Sequence, residues 1–495
     1  MKRLMTALAS IALIGTLFVG APKPTFAAVN EIYYIGVGGG SSTGCGVPDI
    51  LISADDNIPY DGVDDGDDLP NYRGGLRDGY EDFHWYDLDG AIAYALTFVD
   101  NEDVIQLCES FENQDGTSGI WYANNDASLW NGDQNGSEAI IAPIDLTIQG
   151  LGPDETILSA DISGFVRLFN FAFINLTLKD MTLQSGDANA SGDERGGAVF
   201  LNYGSLTIDN VDFNNFASGG GGGQFVYVND ADLTVTDSYF QNTYSYTREV
   251  DDATNQGNGG AILSTVSTSA APNTTVSISN SVFDNLGTAD SGGALALNCA
   301  NTTISDSVFT DNTAGISGGS IWTDGSDASC DTTGSLTVQN SIFDGNYIHE
   351  DFGGEGGVGG AVASFGQPVT FTDSTVGAVG ADGNWNNDGN GGGLFVDGTS
   401  GTLLTITDTD FFDNSSGWDN GGAVYAECAN VVVTGDATGF FTEDAPMGGP
   451  VKSSNFYGNY ARDNGGAIYL AVEGCGDGIG GTNDFVNATI DGVVF

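Results

Sequence analysis

Basic side chains are almost missing from this sequence: 11 Lys and Arg stand against 67 Asp and Glu among 495 residues, a formal net charge of −56. A surface of that sign repels phosphate backbones and anionic lipid, so nucleic acid is excluded as a partner. Histidine is scarcer still. His84 and His349 lie in separate acidic stretches, and neither has a second His nearby, so no metal motif and no nucleophile triad is visible. Past residue 21 there is no apolar run long enough to cross a membrane as a helix. The 11 Pro and 75 Gly show no Gly-X-Y period, which rules out a collagen helix.

What is present begins with an export signal. Lys2 and Arg3 precede an uncharged apolar stretch over residues 4–21, and Thr25-Phe26-Ala27 supplies a small-residue cleavage site. Residues 1–27 therefore read as a secretory signal peptide. The six Cys suit an exported protein with disulfides.

A repeated phrase occupies most of the rest. Gly pairs followed by a small or apolar residue begin at 196, 222, 259, 292, 318, 359, 392, 421 and 465. A constant phrase at an irregular period predicts a solenoid whose insertions lie in loops. Each phrase continues into a segment that ends on Phe: Phe213, Phe240, Phe283, Phe309, Phe343 and Phe411, with Val376 once in that place. Five residues before the anchor stand Ile208, Val235, Ile278, Ile304, Val338, Phe371 and Ile406. Thr, Ser or another polar residue flanks this apolar position on both sides. That alternation predicts a strand with one buried face and the apolar residues stacked in one internal column.

Three residues before the anchor stand Asn210, Asp237, Asn280, Asp306, Asn340, Asp373 and Asp408. Asn and Asp tolerate the left-handed region and bond their own backbone, so this position turns the chain. A further Asn follows the anchor, at Asn215, Asn242, Asn285, Asn312, Asn346, Asn414 and Asn459. Short strands joined by corners, with no helix and no hairpin between them, predict an all-β right-handed parallel β-helix over residues 141–495. Nine rungs at about 4.8 Å make a rod of roughly 45 Å. The Asp and Asn ladder could also hold calcium between rungs, although turn chemistry alone demands the same residue types.

Residues 28–140 read as an N-terminal cap with the first strands. A short amphipathic helix follows Asp87, with Leu88, Ile92, Leu96 and Val99 on one face. Residues 49–86, rich in Asp, read as an inserted mobile loop. The chain ends with Asp491 and Phe495 where earlier rungs place their turn and their Phe, and no polar cap follows, which predicts a helix truncated at its C-terminus.

The alternation of Gly-Gly-Ala-apolar with Phe-x-x-Asn, literal at 309–312, 343–346, 411–414 and 456–459, resembles the repeats of chlamydial polymorphic outer membrane proteins and of other secreted proteins of the pectin-lyase-like superfamily. The resemblance covers residues 196–495. It implies a β-helix at a bacterial surface, adhesin-like or structural, with glycans or cell surfaces as partners. It also implies an alternative, since the superfamily includes polysaccharide lyases and glycoside hydrolases. Lyases need carboxylates to hold calcium and a nearby Arg or Lys as base. From residue 140 onward the basic residues are Arg167, Lys179, Arg195, Arg248, Lys452 and Arg462. Arg195 and Arg462 each precede a Gly pair beside an acidic residue, and both read as turn ion pairs, so no catalytic residue is assigned.

The rung register sets the expected disulfides. Cys299 and Cys428 each lie six residues after the second Gly of a pair, and the next Cys follows the next Gly pair. Stacked rungs bring Cα atoms within disulfide reach. The pairs expected are Cys299–Cys330 and Cys428–Cys475. Cys45 and Cys108 flank the acidic insert and are expected to clamp its base.

Overall fold

A computed structural model of the chain describes strands at 31–36, 50–53, 103–107, 120–123 and 131–132. From 144 to 495 it describes the chain except 161–166, 187–194, 215, 217–221, 242–256, 267–273, 327–329, 331–333, 350–356, 379–382, 388, 399–401, 418, 436–453 and 472–486. The signal peptide, the helix expected after Asp87, His84, Cys45, Cys108 and Cys475 lie outside the described residues. So does the acidic insert beyond its first strand, Ile50–Ser53, which pairs in parallel with Glu31–Gly36.

One rung shows how the sequence folds. Leu295–Asn298 follows the Gly pair, Asn301–Ser305 follows a first corner, Val308–Thr310 a second, and Thr313–Ala314 a third. Each strand pairs in parallel with its counterpart one rung on: Ile321–Asp324, Ser335–Gln339, Ile342–Asp344 and Tyr347–Ile348. The strand pairing is parallel throughout, from Glu31–Gly36 against Asp103–Leu107 to Val431 against Ala488. The architecture is a parallel β-helix. Among the described residues there is no helix at all, and so none able to cross a membrane.

Left-handed residues make the corners. Asn210, Asp237, Asn280, Asp306, Asn340, Asp373 and Asp408 all have φ between 47° and 55°. An earlier corner in the rung is also left-handed, at Phe173, Tyr203, Asp230, Cys299 and Cys428. The Gly pair meets two separate demands. Gly292 has φ 75°, and a Cβ on Gly293 would stand 1.9 Å from the Gly319 carbonyl of the next rung, so only glycine fits either place. Two pairs sit one residue away from the position read in the sequence. Gly223-Gln224 aligns with Gly196-Gly197, and Gly391-Gly392 with Gly359-Gly360. In both cases a run of Gly hides the true register.

The core is a set of ladders. Ile208, Val235, Ile278, Ile304, Val338, Phe371 and Ile406 are in register on successive rungs, each at most 1 % exposed. Phe213, Phe240, Phe283, Phe309 and Phe343 stack with centroids 4.5–4.8 Å apart and ring planes within 6°. Val376 interrupts the stack, and Phe371 in the neighbouring column turns its ring edge to Phe343 at 5.9 Å. One rung thus exchanges a large and a small side chain between columns and keeps its volume. The stack resumes with Phe411, Phe456 and Phe495. Phe495 therefore holds the expected place, but the turn beside it is Gly492, φ 66°, because Asp491 pairs with Thr434 one residue earlier.

Candidate functional site: an uncharged hydroxyl face

The second strand of each rung points its Leu, Ile, Val or Phe inward and its alternate residues outward, so the outward residues form one column at the start of the strand, which includes Asp145 and Asp232, and two columns beyond it. The first of these two runs Thr147, Thr177, Thr207, Thr234, Ser277, Thr303. It continues through Thr337, Thr370, Thr405, Val432 and Thr489. Only Ser277 and Val432 depart from threonine. The second column runs Gln149, Lys179, Asp209, Thr236, Ser279, Ser305, and then Gln339, Thr372, Thr407, Thr434, Asp491. From Thr234 to Thr434 neither column carries a charge. At the N-terminal side Lys179 and Asp209 form an ion pair. In a chain of this acidity, so long an uncharged strip is a specific feature.

The strip is held rigidly from behind and from one side. Behind it lies the apolar column. Beside it runs the Asp and Asn corner, where amides and carboxylates alternate: Asn210 donates to Asp180 at 2.7 Å, Asn340 donates to Asp306, and Asn280 bonds Asp237. Asp373 and Asp408 stand next to each other at the end of this ladder. Among the described residues no three His, Cys, Asp or Glu gather as a metal site would require.

Two further ladders lock the rungs. Every corner Asx from Asp237 to Asp408 is followed by Ser or Thr. Each hydroxyl accepts the amide N–H of its counterpart one rung earlier, from Ser238 to Ser454, at 3.1–3.4 Å. From Ser238 to Thr409 the same hydroxyls donate to the carbonyl two residues back, as Ser307 does to Ser305 at 2.7 Å, and Ser454 donates to Thr434 across an insertion. In the sequence these residues are marked by the repeated Asx-Ser or Asx-Thr pair. The Asn ladder contains Asn312, Asn346, Asn384, Asn414 and Asn459. Asn384 was missed because an insertion separates it from Val376. Asn285, expected in this ladder, is instead a left-handed corner residue with φ 53°, and Leu286 takes the ladder place. Asn215 and Asn242 lie outside the described residues.

Carboxylates gather on the neighbouring third-strand face. Tyr239 donates to Asp284 at 3.1 Å, and Thr310 donates to the other oxygen of Asp284 at 2.9 Å. Burial, then the charge of Asp284, pushes the Tyr239 phenol up to about 12. Burial and the charge of Asp154 also raise Asp212, the residue in register with Tyr239. Further along, burial raises Asp410 to about 6, against hydrogen bonds from the Asn455 side chain and backbone.

Arg195 and Arg167 hold neighbouring rungs together. Arg195 lies over the Tyr227 ring and donates to its hydroxyl at 3.0 Å. Arg167, buried, lies over Phe200 and donates to the carbonyls of Arg195 and Gly196. Arg462 does not share the place of Arg195. The residue immediately before the pair, in register with Arg195, is Asn464. The ring of His349 lies 6.1 Å from that of Tyr347.

Cys299 is bridged to Cys330, with Cα atoms 5.2 Å apart. Cys428, at the same left-handed corner as Cys299, is also disulfide-bonded. Compared with known proteins, the chain matches no family model, no curated protein and no solved structure.

Proposed function

We propose that this chain is a secreted or cell-surface β-helix that works as an adhesin-like or structural protein, binding through its sides and turning nothing over. One observation carries this: the two outward columns from Thr234 to Thr434 form a long strip of mostly hydroxyl side chains without charge, in a chain whose composition is strongly acidic. A long strip of small polar groups suits an extended partner met at many weak contacts. The export signal and the repeat resemblance agree with a place outside the cell, on a bacterial surface, where glycans or cell surfaces are the partners. A glycan-array screen tests this, together with an assay for unsaturated uronate on polyuronate with and without calcium. Retention without turnover is expected, and turnover overturns it.

A second reading, a polysaccharide lyase or glycoside hydrolase, is favoured by the group around Asp212, Tyr239 and Asp284. A carboxyl raised by burial and a second carboxyl on the same face are the kind of pair that acid-base cleavage of a sugar bond uses. If the uronate or a reducing-sugar assay gives turnover, Asp212→Asn is expected to abolish it.

A further inference from the structure

We infer that the hydroxyl strip binds the surface of ice. Two repeats define the strip. Along the rod, successive rungs repeat at about 4.8 Å, and along each strand the outward residues repeat at about 6.6 Å. A prism face of hexagonal ice likewise repeats in two directions, at spacings of the same order. The occupants fit such a partner. Thr presents a hydroxyl that can join a water lattice and a methyl that can sit in its hollows. Its β-branched side chain is stiff at χ1, so both groups are positioned before contact and little entropy is lost on binding. Thr407 and Thr434 even bond each other across rungs at 3.1 Å.

The charge pattern points the same way. A charged group organises water around itself and disturbs an ordered lattice. From Thr234 to Thr434 no such group interrupts the columns, while Asp237, Asp306, Asp373 and Asp408 stand at the corner that bounds the strip. Each contact is weak. Many rungs in register on a rigid core add them together when the partner repeats as regularly as the strip, as a crystal does.

This deepens the surface-protein function proposed above and rests on it in requiring a passive face. The test uses the exported full chain, labelled with a fluorophore, on a growing single crystal of ice, with thermal hysteresis read in parallel. Wild type is expected to accumulate on prism faces and depress the growth temperature. The double variant Thr337→Lys with Thr370→Lys is expected to lose at least tenfold in both readings. Ser415→Lys, on the separate short-strand sheet, is expected to match wild type. Should the double variant lose its cooperative melt, Thr303→Lys alone replaces it. Wild type that stays in the liquid, or lysine variants that coat ice as well as wild type, overturns the inference. No ice retention with a positive glycan array overturns ice binding and leaves the adhesin function standing. Turnover of polysaccharide without ice retention overturns both.

Discussion

At the scale of single residues, the most informative positions are those where a polar group sits among apolar ones. Thr302 lies between Val276 and Leu336 in an inward column, 1 % exposed, and its hydroxyl has no hydrogen-bond partner. An unpaired buried hydroxyl costs about 1–3 kcal/mol. Valine has nearly the same shape and the same strand preference. Thr302→Val is therefore expected to stabilise the protein by about 1 kcal/mol, read as a higher urea midpoint with an unchanged slope. A lower midpoint would mean that the hydroxyl has a partner, such as a buried water. The left-handed corners make the complementary point. Asn and Asp fill one corner because they bear a positive φ at small cost, whereas Phe173 and Tyr203 take the same conformation at the other. Their rings stack on each other at 4.7 Å, a contact that favours the same paired arrangement.

At the scale of the ladder, stability comes from like groups meeting like groups one rung away. Asn346 is the clearest case. Its Oδ1 accepts from the backbone and side chain of Asn312, and its Nδ2 donates to the Phe309 carbonyl and to Asn384, all within 2.9–3.1 Å and fully buried. Asn346→Leu strands groups on both neighbouring rungs and is expected to cost about 2–4 kcal/mol in urea melts. Asn459→Leu, at the partly exposed end of the ladder, is expected to cost less than half as much. Equal costs would show that the ladder is not coupled along its length. This scale also explains what could be read beforehand. The inward column, the Phe stack and the Asx corner were legible because each imposes a residue type at a fixed distance from the next. Asn384, Gly391 and the place of Asn464 were obscured by insertions and Gly runs, which move a residue along the sequence while leaving it in the same place in space. The hydroxyl strip was half legible: polar flanks predicted an outward face, but only the register shows that one face stays free of charge over so many rungs.

At the scale of the whole molecule the governing quantity is negative charge, and it is expected to reverse the usual dependence of stability on acid. Burial raises the carboxyls of Asp212, Asp237, Asp290, Asp397 and Asp410 above the ordinary value of 3.8, Asp410 to about 6. A raised carboxyl holds its proton more tightly in the folded chain than in the unfolded one. Between about pH 4 and pH 6 these groups bind more protons in the folded state, and the stability they contribute falls as pH rises through that window. Above it, each of these groups has been ionised at the cost of its burial, and general repulsion among carboxylates adds to the loss. Urea melts are expected to give a higher midpoint at pH 4 than at pH 7, and added salt to narrow the gap by screening. Asp410→Asn isolates one share. The amide keeps an oxygen to accept from Asn455 but cannot ionise, so the variant is expected to match wild type at pH 4 and to exceed it by on the order of 1–3 kcal/mol at pH 7. Wild-type stability that climbs steadily from pH 4 to pH 7, or a variant no better than wild type at pH 7, would show that the buried carboxyls are reached by solvent and that repulsion at the surface does not set the balance.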